Sequence, residues 1–365
     1  MSKIHVIIPV YNVKKFLREA VDSVLNQPYK GIDIVLVNDG STDGSAELCD
    51  EIAANKERVS VIHQANAGVS AARNAGIECV LKQCENEDYI AFLDADDVWC
   101  IDSIRKDYNV EENVDLICFS SYYANESLER FRVMNVLSEQ TIIHQIGTVG
   151  WYEVGHLGAN LFSTRIIREY HIRFPEGVKG NEDIIFMQKF GFCSEIIQYK
   201  PKFVYQYRLN NASVTHNAKL LISNAMHVPM AWFHEANWPS PLHNISLESK
   251  TEWEKQCYQI AGARMLETLR SLVESGIRWR EINTFRAEAT VVDLLERISV
   301  ENLANWQQED YTLYFRSFTA FYLKFYFNGC IRRTAKKLLR IGAVRRWRER
   351  YAFPLSERIE SSTAG

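Results

Sequence analysis

Three carboxylates, Asp94, Asp96 and Asp97, crowd the end of the short apolar run Tyr89-Ile90-Ala91-Phe92-Leu93. Carboxylates this close repel one another, so the arrangement persists most easily with a cation between them or strong donors around them. Hard oxygen ligands suit Mg²⁺ or Mn²⁺, ions that commonly ride with substrate phosphates. The structural alternative is a helix N-cap, with Asp96 or Asp97 heading a helix from about Val98. A second acid pair, Glu182-Asp183, opens a helical pattern whose apolar face is Ile184, Ile185, Met187 and Phe190. Acids there complement a helix dipole, or supply a general base for a hydroxyl that must lose its proton as it attacks. Tyr11, Asp39 and the glycine-flanked Arg73 complete the set. An aromatic face stacks on a base, Asp accepts from a base N–H, Arg forks onto phosphate and carboxylates hold the neutralising metal. This is the inventory for a nucleoside diphosphate.

The elements that must position these residues follow from periodicity. Lys3 to Val10 reads as a buried strand, with Pro9 near its end. Apolar residues Phe16, Leu17, Ala20, Val21, Val24 and Leu25 predict a helix from about Val13 to Asn26. Ile32 to Val37 is a β-branched strand running into the polar turn Asn38–Ser45, where Asp43 or Ser45 is placed to cap the next helix. Val59 to His63 is a third strand, 66–76 a loop opening into a helix, and Tyr89 to Leu93 a fourth strand. Strands alternating with helices imply a parallel sheet covered on both faces, with the loops after successive strands meeting at one edge. Val114 to Ser120 is a further strand, 121–140 has no clear period, and Phe203 to Arg208 reads as an edge strand. Beyond Leu220 helical patterns dominate, over Trp253–Val273 and Val291–Ile298 for example.

With 365 residues, 47% hydrophobic and 24% charged, the chain has material for two domains. A net charge of −4 does not favour a polyanion binder, and no nucleic-acid module is present. The eight cysteines form no C-x-x-C pair and fit a reducing cytoplasm. No run reads as a secretory leader or as a bilayer span. No G-x-G-x-x-G follows the first strand and no Gly-Lys-Ser/Thr occurs, which argues against dinucleotide and P-loop sites.

Val6-Ile7-Ile8-Pro9-Val10-Tyr11-Asn12, Val37-Asn38-Asp39-Gly40-Ser41-Thr42-Asp43, the stretch Asn66 to Asn74 and Phe92-Leu93-Asp94-Ala95-Asp96-Asp97 resemble, in order and spacing, the successive signatures of the family 2 glycosyltransferases of the GT-A fold. The resemblance covers residues 1 to about 215. It implies a Rossmann-like α/β domain over 1–217, with nucleotide-sugar binding in 1–100 and the acceptor side in 101–217. A helical region, 218–365, follows. It also implies inverting transfer of a sugar, usually from a UDP-sugar, with Mn²⁺ or Mg²⁺. Carried over, Tyr11 packs near the uracil and Asp39 takes its N3–H. Arg73 contacts the nucleotide, Asp94 binds the ribose and Asp96 the metal. Pro9, Asn12, Gly68 and Ala95 belong to the same donor site. Asp183 falls at the family's Glu-Asp motif and becomes the base, with Glu182 an acceptor partner or a helix-start charge. Trp151 and His156 fall where the family lines its acceptor pocket, His156 as a packing or hydrogen-bonding residue. Arg208, Ser213 and His216 lie in a segment like one closing over the donor, and His216 is a second candidate metal ligand.

The implied partners are a UDP-sugar and a glycan or lipid-linked glycan acceptor, as in assembly of lipopolysaccharide, capsule or O-antigen. A basic, aromatic, amphipathic tail over 322–351 reads either as a helix docking on anionic lipid or as one packing by its apolar stripe. The first reading places the chain in the cytoplasm at the inner face of a membrane. Two alternatives are a sugar-phosphate nucleotidyltransferase and a catalytically silent glycan- or lipid-binding module.

Overall fold

The computed structural model describes residues 2–104, 113–135, 138–143, 156–177 and 182–209, and parts of 258–340. The chain divides into two compact units, Met1–Ala261 and Gly262–Gly365. The boundary expected near residue 217 lies outside the described residues.

The first unit is built on β1 (Ile4–Val10), α1 (Lys14–Leu25), β2 (Ile32–Asp39), α2 (Ser45–Asn55), β3 (Val59–Gln64), α3 (Val69–Leu81) and β4 (Tyr89–Phe92). These strands run parallel, in the order β3-β2-β1-β4. Residues alternate across the sheet as the pleat requires. Ile7, Val35 and Phe92 pack on one face with Ile77 and Val80 of α3, while Val6, Ile8 and Leu36 pack on the other with Leu17, Val21 and Val24 of α1. Helix α1 buries its i, i+3, i+4 stripe, leaves Arg18 and Glu19 in water and stops three residues before Pro28. Pro9 lies beyond Ile7, the last β1 residue paired with β4, so its missing N–H breaks no bond to that strand.

The rest of the sheet is mixed. It adds β5 (Val98–Trp99), β6 (Leu116–Ala124), β7 (Arg130–Asn135), β8 (Gln140–Ile143), β9 (Asn160–Ser163) and β10 (Ile196–Arg208). The order continues β4-β9-β6-β10-β5, with β9 antiparallel to β4 and to β6, and β10 parallel to β6. Helices α4 (Thr164–Glu169) and α5 (Glu182–Cys193) pack on the α3 face through Ile166, Ile167, Phe186 and Phe190.

Three sequence expectations change. Val98–Trp99 is a strand, so Asp96 and Asp97 cap no helix. The N-cap position of α2 falls to Gly44, although Asp43 Oδ1 still accepts the N–H of Ser45, the first α2 residue, at 3.0 Å. Both residues also serve α1: Asp43 Oδ2 accepts the Lys14 N–H at 3.1 Å and Ser45 Oγ accepts the Val13 N–H at 3.0 Å. Phe203–Arg208 is no edge, because it ends a 13-residue strand held between β6 and β5.

The second unit contains α6 (Trp279–Arg286), α7 (Ala289–Glu296), α8 (Asn305–Arg316) and α9 (Phe318–Arg340). Its core includes Met265, Leu266, Leu269 and Leu272 from the expected helical pattern, together with Phe321 and Phe325 of α9. Buried Asp310 accepts from Arg270 at 3.1 Å and Lys324 at 2.9 Å. Among the described residues no helix is long and apolar enough to cross a membrane. The stretch 341–351 of the basic tail lies outside them.

Candidate active site

The loops after β1, β2, β3 and β4 meet at the carboxyl edge of the parallel strands. The first two are laced together. Asn12 adopts φ 50°, a left-handed conformation that Asn tolerates. Its Oδ1 accepts the Thr42 N–H at 2.8 Å, and its own N–H donates to Ser41 Oγ at 3.1 Å. Asn12 therefore fixes a turn, and it leaves the neighbouring Tyr11 ring 52% exposed. Asp39, at the end of β2, is buried. One oxygen accepts from Gln64 Nε2 at 2.8 Å and the Ala67 N–H at 2.9 Å, the other from the Gly68 N–H at 2.9 Å. It pins the turn that launches α3, where Gly68 takes φ 91° with open space at its Cα. An exposed ring and a carboxylate with its loop already oriented flank this edge.

Arg73 leaves α3 toward the protein interior, 4% exposed. Its guanidinium lies over the Phe174 ring at 5.1 Å. One terminal nitrogen donates to Asp94 at 2.8 Å and the other to Glu182 at 2.9 Å, and Nε is buried with no acceptor among the described residues. The resemblance assigned Arg73 to the nucleotide. In the fold it is a brace joining the strand-end acid Asp94 to the first turn of α5. Burial pushes the Asp94 carboxyl up, but the Arg73 guanidinium, helped by His156, outweighs burial and holds it below the usual range. Burial raises Glu182, only partly offset by Arg73 and reinforced by Asp183. Burial also raises Asp183, against the pull of Arg73 and of the Ile184 N–H that donates to it at 2.8 Å. Of the two acids, Glu182 is committed to Arg73, and Asp183 is the partly exposed one.

The strand-end acids are held from the far side of the sheet. Buried Asp97 accepts the Arg208 N–H at 2.7 Å and the Tyr205 hydroxyl. Burial, with Asp96 and Asp94 adding to it, pushes its carboxyl well up. Arg208 is itself buried and spends its guanidinium on the Asp96 carbonyl at 2.6 Å and the Glu19 carboxylate at 2.6 Å, lying over Phe16 at 4.7 Å. Placed by sequence among the diphosphate contacts, Arg208 is a strut for the loop bearing Asp96. Ala95 is buried within that loop and Asp96 is partly exposed. His156 lies nearby, stacked on Tyr205, and burial pushes its imidazole down to about 4 against the pull of Asp94. Trp151, Ser213 and His216 lie outside the described residues. Sequence reasoning missed Tyr205 and Gly158. The signal available was the pairing of a turn glycine with an aromatic strand.

A divalent ion fits this donor set. Among the described residues no three metal-ligating side chains converge to hold an ion alone. Asp96, partly exposed at the strand end, suits Mg²⁺ or Mn²⁺, which keep waters and are completed by substrate phosphates.

An α/β sheet whose parallel strands end in loops that gather an open ring, an oriented carboxylate and paired acids has the architecture of a GT-A domain. Residues 5–164 match the family model described as glycosyl transferase family 2. The glycosyltransferase GlyA of Streptococcus pneumoniae serotype 4 is 34% identical over 232 residues, 59% of this chain and 32% of that protein. The uncharacterized glycosyltransferase YibD of Escherichia coli K12 is 31% identical over 227 residues, 59% of this chain and 63% of that protein. The chain thus spans about a third of one relative's length and under two thirds of the other's. Among solved structures, S. aureus TarS 1-349 in complex with UDP-GlcNAc superposes with a TM-score of 0.58 at 19% identity, covering 93% of this chain and 92% of that one. That likeness establishes the fold.

Proposed function

We propose that this chain transfers a sugar from a UDP-sugar to a hydroxyl of a glycan or lipid-linked glycan, with inversion at the anomeric carbon. The observation that carries the reading is the Arg73 brace, which ties the strand-end acid Asp94 to Glu182, neighbour of Asp183 at the head of α5. Tyr11 offers an open face to the base, and Asp39 accepts from its N–H. Asp183, partly exposed and made more basic by burial, takes the proton of the attacking hydroxyl, a role worth ~10²–10⁴-fold. Asp94 would bind the ribose, and Asp96 would hold Mn²⁺ or Mg²⁺, which supplies charge neutralisation at the departing diphosphate. The family match over 5–164 and the glycosyltransferase relatives support the activity. The UDP-GlcNAc complex of TarS supports a uridine nucleotide by analogy of fold.

The acceptor side faces a surface glycan in this reading. On α9, Leu323 and Phe327 stand 46% and 60% exposed, one helical turn apart, and the sequence beyond them is rich in Lys and Arg. That combination suits peripheral docking on anionic lipid at the inner face of a membrane. A screen of UDP release across UDP-glucose, UDP-galactose and their N-acetyl and uronic forms, with and without Mn²⁺, tests the activity. Asp183→Asn should bind UDP as the parent does and lose transfer by ~10²-fold or more. Near-normal turnover by that variant removes Asp183 from the role of base.

A further inference from the structure

His156 is held more firmly than packing alone requires. It precedes the 3₁₀ turn Leu157–Ala159, and its Nδ1 accepts the Gly158 N–H at 3.2 Å. A ring nitrogen that accepts carries no hydrogen, so the neutral imidazole bears its proton on Nε2. The ring stacks on Tyr205 with centroids 4.4 Å apart and 26° between planes, and meets Tyr207 at 5.4 Å and 59°. Tyr205 cannot yield, being fully buried with its hydroxyl on Asp97. Gly158 is what lets the turn come so close, since a Cβ there would fall 2.0 Å from the Tyr205 ring.

Two sides of the imidazole are therefore fixed. The third, Nε2–H, has no partner among the described residues, and His156 is partly exposed. Asp94 and Arg73 are its charged neighbours, which places it beside the acids already described. A donor locked in tautomer and orientation binds without paying to order itself. The chemistry also selects the ligand. A neutral N–H competes poorly with cations for phosphate but suits an uncharged oxygen, and the Tyr205 and Tyr207 rings beside it suit the C–H face of a pyranose.

We propose that His156 is a substrate-contacting hydrogen-bond donor whose Nε2–H reads a hydroxyl of a sugar, the one transferred or the one receiving it. This rests on the sugar-transfer reading for the source of the hydroxyl, not for the geometry.

The test has a part that does not depend on activity. In the chain labelled with ¹⁵N-histidine, the His156 resonances are those lost in His156→Gln. They should show an unprotonated Nδ1 and a protonated Nε2. The Nε2 signal should move on adding a UDP-sugar or a methyl glycoside, and not on adding UDP. Three variants supply the second part. His156→Gln places an amide nitrogen near the Nε2 position, His156→Asn near Nδ1, and His156→Phe keeps the stack without a donor. With the donor turned over fastest in the UDP-sugar screen, Phe and Asn should lower kcat/KM about tenfold, Gln by under about threefold, all with unchanged UDP affinity. A drop in donor hydrolysis without acceptor assigns the hydroxyl to the transferred sugar. A drop only in transfer to methyl glycosides assigns it to the acceptor. A protonated Nδ1, an Nε2 signal indifferent to every sugar, or equal losses in all three variants with weakened UDP binding overturns the proposal. If the parent releases no UDP from any donor while methyl glycosides still move Nε2, the transfer reading fails and this one stands.

Discussion

Arg73→Met removes the brace and leaves its partners in place, and the structure sets the size of the effect. Asp94 is 32% exposed on its side chain and can be hydrated, so its loss matters little. Glu182 is 11% exposed and cannot. Removing one partner of a buried ion pair costs about 3–5 kcal/mol when the remaining charge stays ionised. Glu182 has an escape, because it can take a proton. Protonating a carboxyl whose ordinary value is 4.5 costs about 1.4 kcal/mol per pH unit above that value. The penalty is therefore capped at about 3.5 kcal/mol at pH 7 and below about 1 kcal/mol at pH 5. The sign follows from linkage: in the variant the folded state binds a proton that the unfolded state does not, so stability falls as pH rises above 4.5. Urea titrations of the intact chain at pH 7 and pH 5 read this directly. Arg73→Met with Glu182→Gln should recover most of the loss at pH 7, since neither partner then stays charged and buried. A cost equal at both pH values, or a double variant as unstable as the single one, would refute the reasoning.

Gly76→Ala would gain about 1 kcal/mol on an exposed helix. Here its Cβ would sit 2.4 Å from Ile7 Cγ2, so a net loss of about 1–3 kcal/mol is expected in thermal denaturation. His156, ordinarily near 6.5 and held at about 4, makes the fold lose up to about 2 kcal/mol between pH 7 and pH 5, because the unfolded state binds the proton first. His156→Gln should flatten that part of the stability profile in urea titrations at the two pH values. Asp39→Asn keeps one acceptor oxygen where two now hold Gln64, Ala67 and Gly68, so the loop before α3 loosens and UDP affinity should fall about tenfold by calorimetry.

What could be read from the sequence is what lies close along it. Tyr11, Asp39 and Asp94 each follow an apolar strand directly, so periodicity alone carries them to one edge. For Glu182 and Asp183 periodicity gave only the head of a helix, and the family resemblance supplied their place in the site. The partners of Arg73 and Arg208 could not be read that way. Arg73 meets Glu182 109 residues away, and a lone arginine on a helix carries no mark that its guanidinium will turn inward. Asp97 looked like a cap because a carboxylate after a strand often is one. That it accepts from a tyrosine and a backbone N–H over 100 residues later depends on β10 running in beside β5. The mixed half of the sheet was obscure for a related reason: β9 pairs with β4 and β6, and β10 with β6, β5 and β8, across long intervals in both senses, and 121–140 shows no period strong enough to announce β7.

The clamp of Arg208 on Asp97 also has a consequence for how the chain is born. The two residues are separated by 111 positions. At a synthesis rate of about 5–20 residues per second, the acid leaves the ribosome roughly 6–22 s before its clamp exists. Through that interval the parallel strands have what they need to pair, yet the turn after β4 must wait, hydrated and unanchored, for the strand that will shut it in. The nascent protein thus completes its scaffold well before its reactive edge.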